Sequence, residues 1–145
     1  ELKALFSEMG NTVVAISPDS KALYHAAAVM VSNQIVALAD MGTALLVKCG
    51  FSEAAAAEAL SPLLLGNAQS VAEKGAVNAL TGPIERGDAQ TVSKHLQEIR
   101  KFAAESTVGQ DILTAYTALS KQLIRIAQQK HPHKDYKHLE KELEQ

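Results

Sequence analysis

The sequence predicts an all-α protein, a helical bundle around one long, central, buried helix, and two observations support this prediction. The composition is 47% hydrophobic with 4% aromatic residues and no Trp, which is typical of an alanine- and leucine-rich helical protein. The stretch from Lys21 to Gly50 has no formal charge between Lys21 and Asp40, and its alanines and long aliphatic side chains favour a helix that Gly50 would end. Because a helix of about 28 residues that is apolar on nearly every side must be covered, we expect the other helices to surround it.

The same stretch has the length of a membrane span, which takes roughly 20 mostly apolar residues. Hydrogen-bonding side chains interrupt its apolar run at His25, Ser32, Asn33 and Gln34. Polar groups near the middle of a span are costly in a bilayer. We therefore expect a bundle helix and no membrane contact.

Length, charge and cysteine content narrow the class of protein. A chain of 145 residues is enough for one domain with a real core. The formal charge of −2 and the pI near 6.2 give no reason to expect a nucleic-acid partner. The single cysteine, Cys49, excludes an internal disulfide framework, and no positively charged apolar leader opens the sequence, so we expect a cytoplasmic protein.

The first seventeen residues predict a helix followed by a strand. Leu5, Phe6 and Met9 recur at helical spacing, and Gly10 would end that helix. Residues 11–17, which read NTVVAIS, are β-branched and apolar and form the best strand candidate. Because a lone strand must find its hydrogen bonds in a sheet elsewhere, we expect missing N-terminal sequence or a partner chain, and we expect the chain to be a piece of a longer protein.

Further helices are predicted after Gly50, separated by proline and glycine. Asp19 or Ser20 would cap the long helix, and Ser52 would cap a short one over residues 53–60. The pair Ser61-Pro62 would then start a new helix that Gly75 ends, and residues 76–80 would add one more turn. Gly66 inside that helix is interpreted as a site of close helix packing.

Residues 81–88, here called the 81–88 loop, are the least helical part of the second half. Gly82 and Pro83 stop the preceding helix, and Asp88 would cap a helix over residues 89–105. The free N–H groups at the start of that helix, with Arg86 beside them, suit a carboxylate or a phosphate. The alternative is an ordinary loop with a solvated arginine, and the sequence leaves both open.

The last third predicts a helix with an apolar seam and then a charged tail. The seam lies on a helix over residues 110–130 and would pack within the bundle or against a second subunit; its residues are Ile112, Tyr116, Leu119, Leu123 and Ile126. Residues 131–145 hold three of the five histidines and are expected to be a solvated tail or a short terminal helix. His131 and His133 lack further ligands at convincing spacing, so no metal site is predicted.

A polar stripe on the long helix is the candidate catalytic feature. At about 100° per residue, Lys21, His25 and Ser32 fall on one face. A lysine and a histidine four residues apart could handle protons beside a bound carbonyl or carboxylate. The alternative is that Lys21 reaches solvent and His25 is a core histidine bonded to backbone.

The order of these elements resembles the C-terminal part of oxidoreductases that join a Rossmann domain to a helical domain of the 6-phosphogluconate dehydrogenase type. Relatives include pyrroline-5-carboxylate reductase, ketopantoate reductase and the β-hydroxyacid dehydrogenases. The pair Lys21-x-x-x-His25 is similar to the Lys-x-x-x-Asn pair with which β-hydroxyacid dehydrogenases hold and protonate the substrate oxygen. Histidine in place of asparagine departs from that pattern.

A closer resemblance is to bacterial Rossmann-like proteins whose helical C-terminal domain is a domain of unknown function, DUF2520. The residues that carry it are KALYHAA at 21–27 with Ser32-Asn33, ALTGP at 79–83, RGD at 86–88, Thr91 and His95-Leu96. The resemblance covers roughly residues 1–130. It implies that residues 1–17 are the last helix and strand of a Rossmann-type domain, residues 18–130 a helical substrate and dimerisation domain, and residues 131–145 a charged C-terminal tail without a counterpart.

The resemblance also implies a function, that of an oxidoreductase dependent on NADP or NAD. Lys21 would be the general acid or the oxyanion stabiliser, with His25 and Asn33 orienting a small anionic substrate. Ser32 would also bind that substrate. The anionic group would meet the 81–88 loop at Thr81, Gly82, Pro83 and Arg86. The cofactor would be bound mainly by a Rossmann domain absent from this chain, and the chain, inactive alone, would form a homodimer. The alternative is a non-catalytic helical oligomerisation domain.

Overall fold

The regular structure in the computed structural model, which describes residues 2–144, is helical throughout. The helices are α1 (Leu2–Glu8), α2 (Lys21–Lys48), α3 (Glu53–Ala79), α4 (Pro83–Arg86), α5 (Ala89–Glu105), α6 (Thr107–Lys130) and α7 (Lys137–Glu142), with a 3₁₀ turn at Pro18–Ser20. The predicted all-α class is therefore confirmed.

The chain divides into two compact units, each with its own internal contacts. Residues up to Asp40 form the first unit, which holds α1, the 3₁₀ turn and the greater part of α2. Residues from Met41 onward form the second, which contains the hydrophobic core. The assignment of residues 1–17 to a Rossmann-type domain stays a prediction.

The strand predicted at residues 11–17 is not formed. These residues have no regular structure, and all of them except the half-buried Val13 are exposed. A strand is stable only when its backbone groups pair with another strand, and residues 2–144 contain none. Ser17 caps the 3₁₀ turn that leads into α2, its hydroxyl accepting a bond from the Asp19 N–H at 3.3 Å, and Asp19 and Ser20 lie within that turn.

The long helix has the predicted extent but not the predicted burial. α2 runs for 28 residues and stops before Gly50, whose φ of 97° suits only glycine. None of its residues is buried, so the expectation of a buried central helix is wrong for the single chain. The later helices bury their apolar faces against one another instead, and side chains such as Leu23, Met30 and Val31 stay exposed.

The segment Pro18–Lys48 is also long and apolar enough to cross a membrane, by length and composition. Core helices of soluble proteins reach the same length and composition. The expectation of no membrane contact stays a prediction.

Residues 53–74 of α3 form one helix where two were predicted. It continues through Pro62, whose backbone angles stay helical although proline cannot donate a hydrogen bond to the carbonyl of Glu58. Gly75, with φ 74° and ψ 162°, interrupts the helix at the predicted place. Gly66 has open space around it rather than the close packing that was expected.

The core lies between α4, α5, α6 and α7. Its buried side chains are Leu80, Ile84, Val92, Leu96, Ile124, Ala127, Tyr136, Leu139 and Leu143. α5 and α6 pair closely where Ser106 caps α6, accepting a bond from the Gly109 N–H at 3.0 Å. A Cβ on Gly109 would lie 2.7 Å from the backbone nitrogen of Ala103, so this approach requires glycine.

Most of the predicted seam on α6 lies in or against the core, and the tail is packed rather than solvated. Ile112 is buried, and Tyr116, Leu123 and Ile126 pack against the core. Leu119 is 44% exposed, whereas Ser120 and Ile124 are buried. The predicted terminal helix is present as α7, and it places Leu139 in the core at 1% exposure. Tertiary packing thus extends to Leu143.

Candidate functional site

Lys21 and His25 lie exposed at the start of α2, in the first unit. Helical spacing places the two side chains on one face. Within residues 2–144 neither side chain has a hydrogen-bond or ion-pair partner. In the single chain His25 is exposed rather than a core histidine bonded to backbone, and Lys21 reaches solvent as the alternative predicts.

Ser32 and Asn33 lie two turns further along α2. The Ser32 hydroxyl donates to the carbonyl of Ala28 at 2.7 Å and lies 2.9 Å from Asn33 Oδ1. Both residues are exposed. The structure thus brings these two predicted site residues into contact, and a bond back to the preceding turn already occupies the serine proton.

The 81–88 loop belongs to the second unit and has a defined conformation. Gly82 (φ 98°) precedes the four-residue helix α4, and Gly87 (φ 70°) follows it. Backbone bonds close the turn, from the Arg86 N–H to the Gly82 carbonyl at 3.1 Å and from the Asp88 N–H to the Pro83 carbonyl at 2.8 Å. Ile84 anchors the loop in the core.

Asp88 caps α5 as predicted, and it also supplies a negative charge at that helix end. Its carboxylate accepts bonds from the Thr91 N–H at 3.0 Å and from the Thr91 hydroxyl at 2.7 Å. These two bonds, with smaller contributions from Arg86 and Lys94, hold the pKa of Asp88 below its usual value. The free helix end expected to receive an anion is thus occupied by the chain's own carboxylate.

The remaining loop candidates differ in exposure. Thr81 and Arg86 are exposed, and Gly82 and Pro83 are half-buried. Because the Asp88 carboxylate already caps the N-terminus of α5, the Arg86 guanidinium is the loop group best suited to binding a carboxylate.

A polar cluster around Glu85 was missed by the sequence reasoning. Its carboxylate lies 2.6 Å from His131 Nε2 and 3.7 Å from Lys130 Nζ. The bond with His131, aided by the nearby positive charges and opposed by burial, lowers the pKa of Glu85. These partners are about 45 residues apart in sequence, and no local pattern could have connected them.

The Glu85 backbone carbonyl is held as well. It accepts a bond from the Tyr136 hydroxyl at 3.0 Å and one from Lys134 Nζ at 3.3 Å. Burial first, and then the charge of Glu85, raise the pKa of Tyr136. Lys130 Nζ donates to the Leu80 carbonyl at 2.8 Å, at the start of the loop.

A second polar pair joins α5 to α6. His95 Nδ1 lies 3.0 Å from the Tyr116 hydroxyl, with the two rings edge to face. Burial raises the pKa of Tyr116, and Ser120 opposes that shift. His95 is exposed, and the pair ties the two helices together.

The candidates thus form two groups on separate units. Lys21, His25, Ser32 and Asn33 share α2 in the first unit, and the loop residues lie in the second. Across residues 2–144, no cluster of three or more histidine, cysteine, aspartate or glutamate side chains is arranged to hold a metal ion.

These features define a class of protein. It is a helical domain with one exposed apolar helix and a glycine-proline loop held by side-chain hydrogen bonds. Residues 1–123 match the family described as Domain of unknown function (DUF2520). The chain therefore belongs to this family. No curated protein and no solved structure gives a significant match.

Proposed function

We propose that the chain is the substrate-binding and dimerisation domain of an NAD(P)-dependent oxidoreductase that acts on a small carboxylate-bearing metabolite. The observation that carries this proposal is α2, a 28-residue apolar helix without a buried residue that presents Lys21 and His25 at its exposed start. A large exposed apolar surface marks a site of interaction. A site at such a surface becomes dry when the partner covers it, which strengthens the electrostatic effect of a lysine there.

The chain's own residues supply acid chemistry and anion binding. The Lys21 ammonium would donate a proton to a substrate carbonyl oxygen as it gains negative charge. His25 would orient the same oxygen. In the second unit, Arg86 is the group suited to binding a carboxylate. The nicotinamide cofactor, when bound, supplies the hydride chemistry.

The cofactor is assigned to another domain because this chain lacks the required turn. Dinucleotide binding in Rossmann folds uses a G-x-G-x-x-G turn between a strand and a helix, which places the pyrophosphate at the helix N-terminus. The sequence has no such motif, and residues 2–144 form no strand. Calorimetry should therefore detect no NAD(P)H binding tighter than about 100 μM by the chain alone.

A second copy of the chain is the proposed cover for the apolar surface. In the first unit, Tyr24, Val31 and Val36 are more than half exposed, and in the second unit so are Leu63 and Leu65 on α3. Burying such residues on association is favourable in proportion to the apolar area removed from water. Light scattering at micromolar concentration should give twice the chain mass of 15.5 kDa, and a monomer would refute the dimer.

The decisive experiment uses the full-length protein. Small oxo and hydroxy carboxylates are screened with NADH and NADPH, and the best substrate is used to compare Lys21→Ala with Lys74→Ala. Lys74 is an exposed lysine on α3 and serves as the control. Lys21→Ala should lower turnover by roughly 100-fold, the usual effect of losing a positioned acid, without loss of stability.

The second candidate function is a non-catalytic oligomerisation domain, which the same exposed helix also favours. The two functions differ in their response to substitution. If the full-length protein binds no dinucleotide, or if Lys21→Ala and Arg86→Ala are both silent while the dimer persists, the oligomerisation domain is the better description.

A further inference from the structure

Two neighbouring residues of the 81–88 loop have opposite charges and opposite surroundings. The Glu85 side chain is 20% exposed and faces Lys130 and His131, while Arg86 is exposed. A carboxylate placed near the guanidinium would reduce its attraction for an anion. The direction of Glu85 therefore determines which charge the loop presents.

The direction of Glu85 is set by residues 130–136, here called the clamp segment. His131 bonds the carboxylate, and Tyr136 and Lys134 bond the Glu85 carbonyl, so side chain and backbone are held together. Lys130 holds the Leu80 carbonyl just before the loop.

The clamp segment is anchored and tightly packed against the loop. Tyr136 is 2% exposed and belongs to the core, so its hydroxyl is a stationary donor. A Cβ on Gly87 would lie 3.1 Å from Lys134 Cε, which leaves little room between loop and segment. The matched family residues end at 123, so the clamp segment lies outside them.

We propose that the clamp segment orients the 81–88 loop for anion binding, holding Glu85 inward so that Arg86 is the charge the loop presents to a carboxylate. The anion in this proposal rests on the proposed function. The orientation of the loop rests on the contacts above and does not depend on it.

The first test measures loop order by amide hydrogen exchange. In the double variant His131→Gln with Tyr136→Phe, the amides of Arg86 and Asp88 should exchange about tenfold faster, because local opening becomes easier. The control is His133→Gln, an exposed histidine of the same segment. Equal exchange in the double variant and the control would overturn the clamp.

A milder pair keeps the test decisive if the double variant fails to fold. Lys134→Ala removes one bond to the Glu85 carbonyl, and Lys137→Ala changes an exposed lysine on α7. Faster exchange in Lys134→Ala alone supports the clamp. The same exchange in both variants rejects it.

The second test measures the charge that the loop presents. Acetate is titrated into the full chain while the Arg86 amide is followed by nuclear magnetic resonance. Weaker binding in the double variant, by about threefold or more, supports the orientation of Glu85. If the wild-type amide does not respond to acetate, the anion role in the proposed function fails, and the exchange result still decides whether the clamp exists.

Discussion

Leu139→Ala tests whether the C-terminal helix is part of the core. Leu139 is 1% exposed and packs in one cluster with side chains from α4, α5 and α6. Truncating a buried leucine removes its transfer free energy and leaves a cavity, at a cost of about 3 to 5 kcal/mol. At about 2 to 4 °C per kcal/mol for a chain of this size, the melting temperature should fall by roughly 6 to 20 °C.

The assay is urea unfolding followed by circular dichroism, with His138→Ala as the matched control. His138 precedes Leu139 on α7 and is exposed, so its truncation should change the unfolding free energy by less than about 0.5 kcal/mol. If Leu139→Ala costs no more than His138→Ala, residues 131–144 do not pack as described.

Three further predictions concern charge, packing and assembly. Since the pKa of Glu85 is lowered from 4.5, the contribution of Glu85 to stability is present above that value and is lost as the pH falls through the lower folded pKa. The free energy of urea unfolding should therefore fall more on acidification for wild type than for Glu85→Gln. Parallel pH profiles of the two proteins would contradict this. Gly109→Ala should lower the free energy of unfolding by about 1 to 3 kcal/mol through overpacking. Gly66 has open space around it, so Gly66→Ala should be neutral or should stabilise the protein by up to about 1 kcal/mol. Equal melting temperatures of the two variants would contradict this difference. Val31→Glu, on the exposed apolar surface of α2, should shift the light-scattering mass toward the monomer, while Gln97→Glu, at an exposed position on α5, should not. An unchanged mass in both would exclude this part of α2 from the interface.

Sequence reasoning succeeded where the signal is local. Helix caps and glycine stops depend on a few adjacent residues. The structure has the Ser52 hydroxyl cap, the Asp88 carboxylate cap and the stop at Gly50 at the predicted positions. The 89–105 helix has the predicted bounds for the same reason. The helix break predicted at Pro62 is absent. The free-energy cost of a proline is confined to one turn, whereas the free energy that stabilises α3 comes from the whole helix.

Sequence reasoning failed where the partner of a surface had to be known. The apolar pattern of α2 indicates a helix that needs cover, and it carries no information on what supplies that cover. The strand at residues 11–17 was inferred from composition, although β propensity depends on a neighbouring strand. The contacts of Glu85 with His131 and Tyr136 join distant parts of the chain, and only the packing of α7 reveals them.

The interruption at Gly75 has a consequence for the way α3 melts. Helical order spreads along a chain because each added residue gains a bond from its neighbours, and a residue outside the helical region stops that spread. The 53–74 part of α3 has Ala56 as its one buried residue, whereas the residues after Gly75 lead into Ala79 and the core. We therefore expect the 53–74 part to unwind before the core does, so that helicity measured across the whole chain begins to fall before the core is lost.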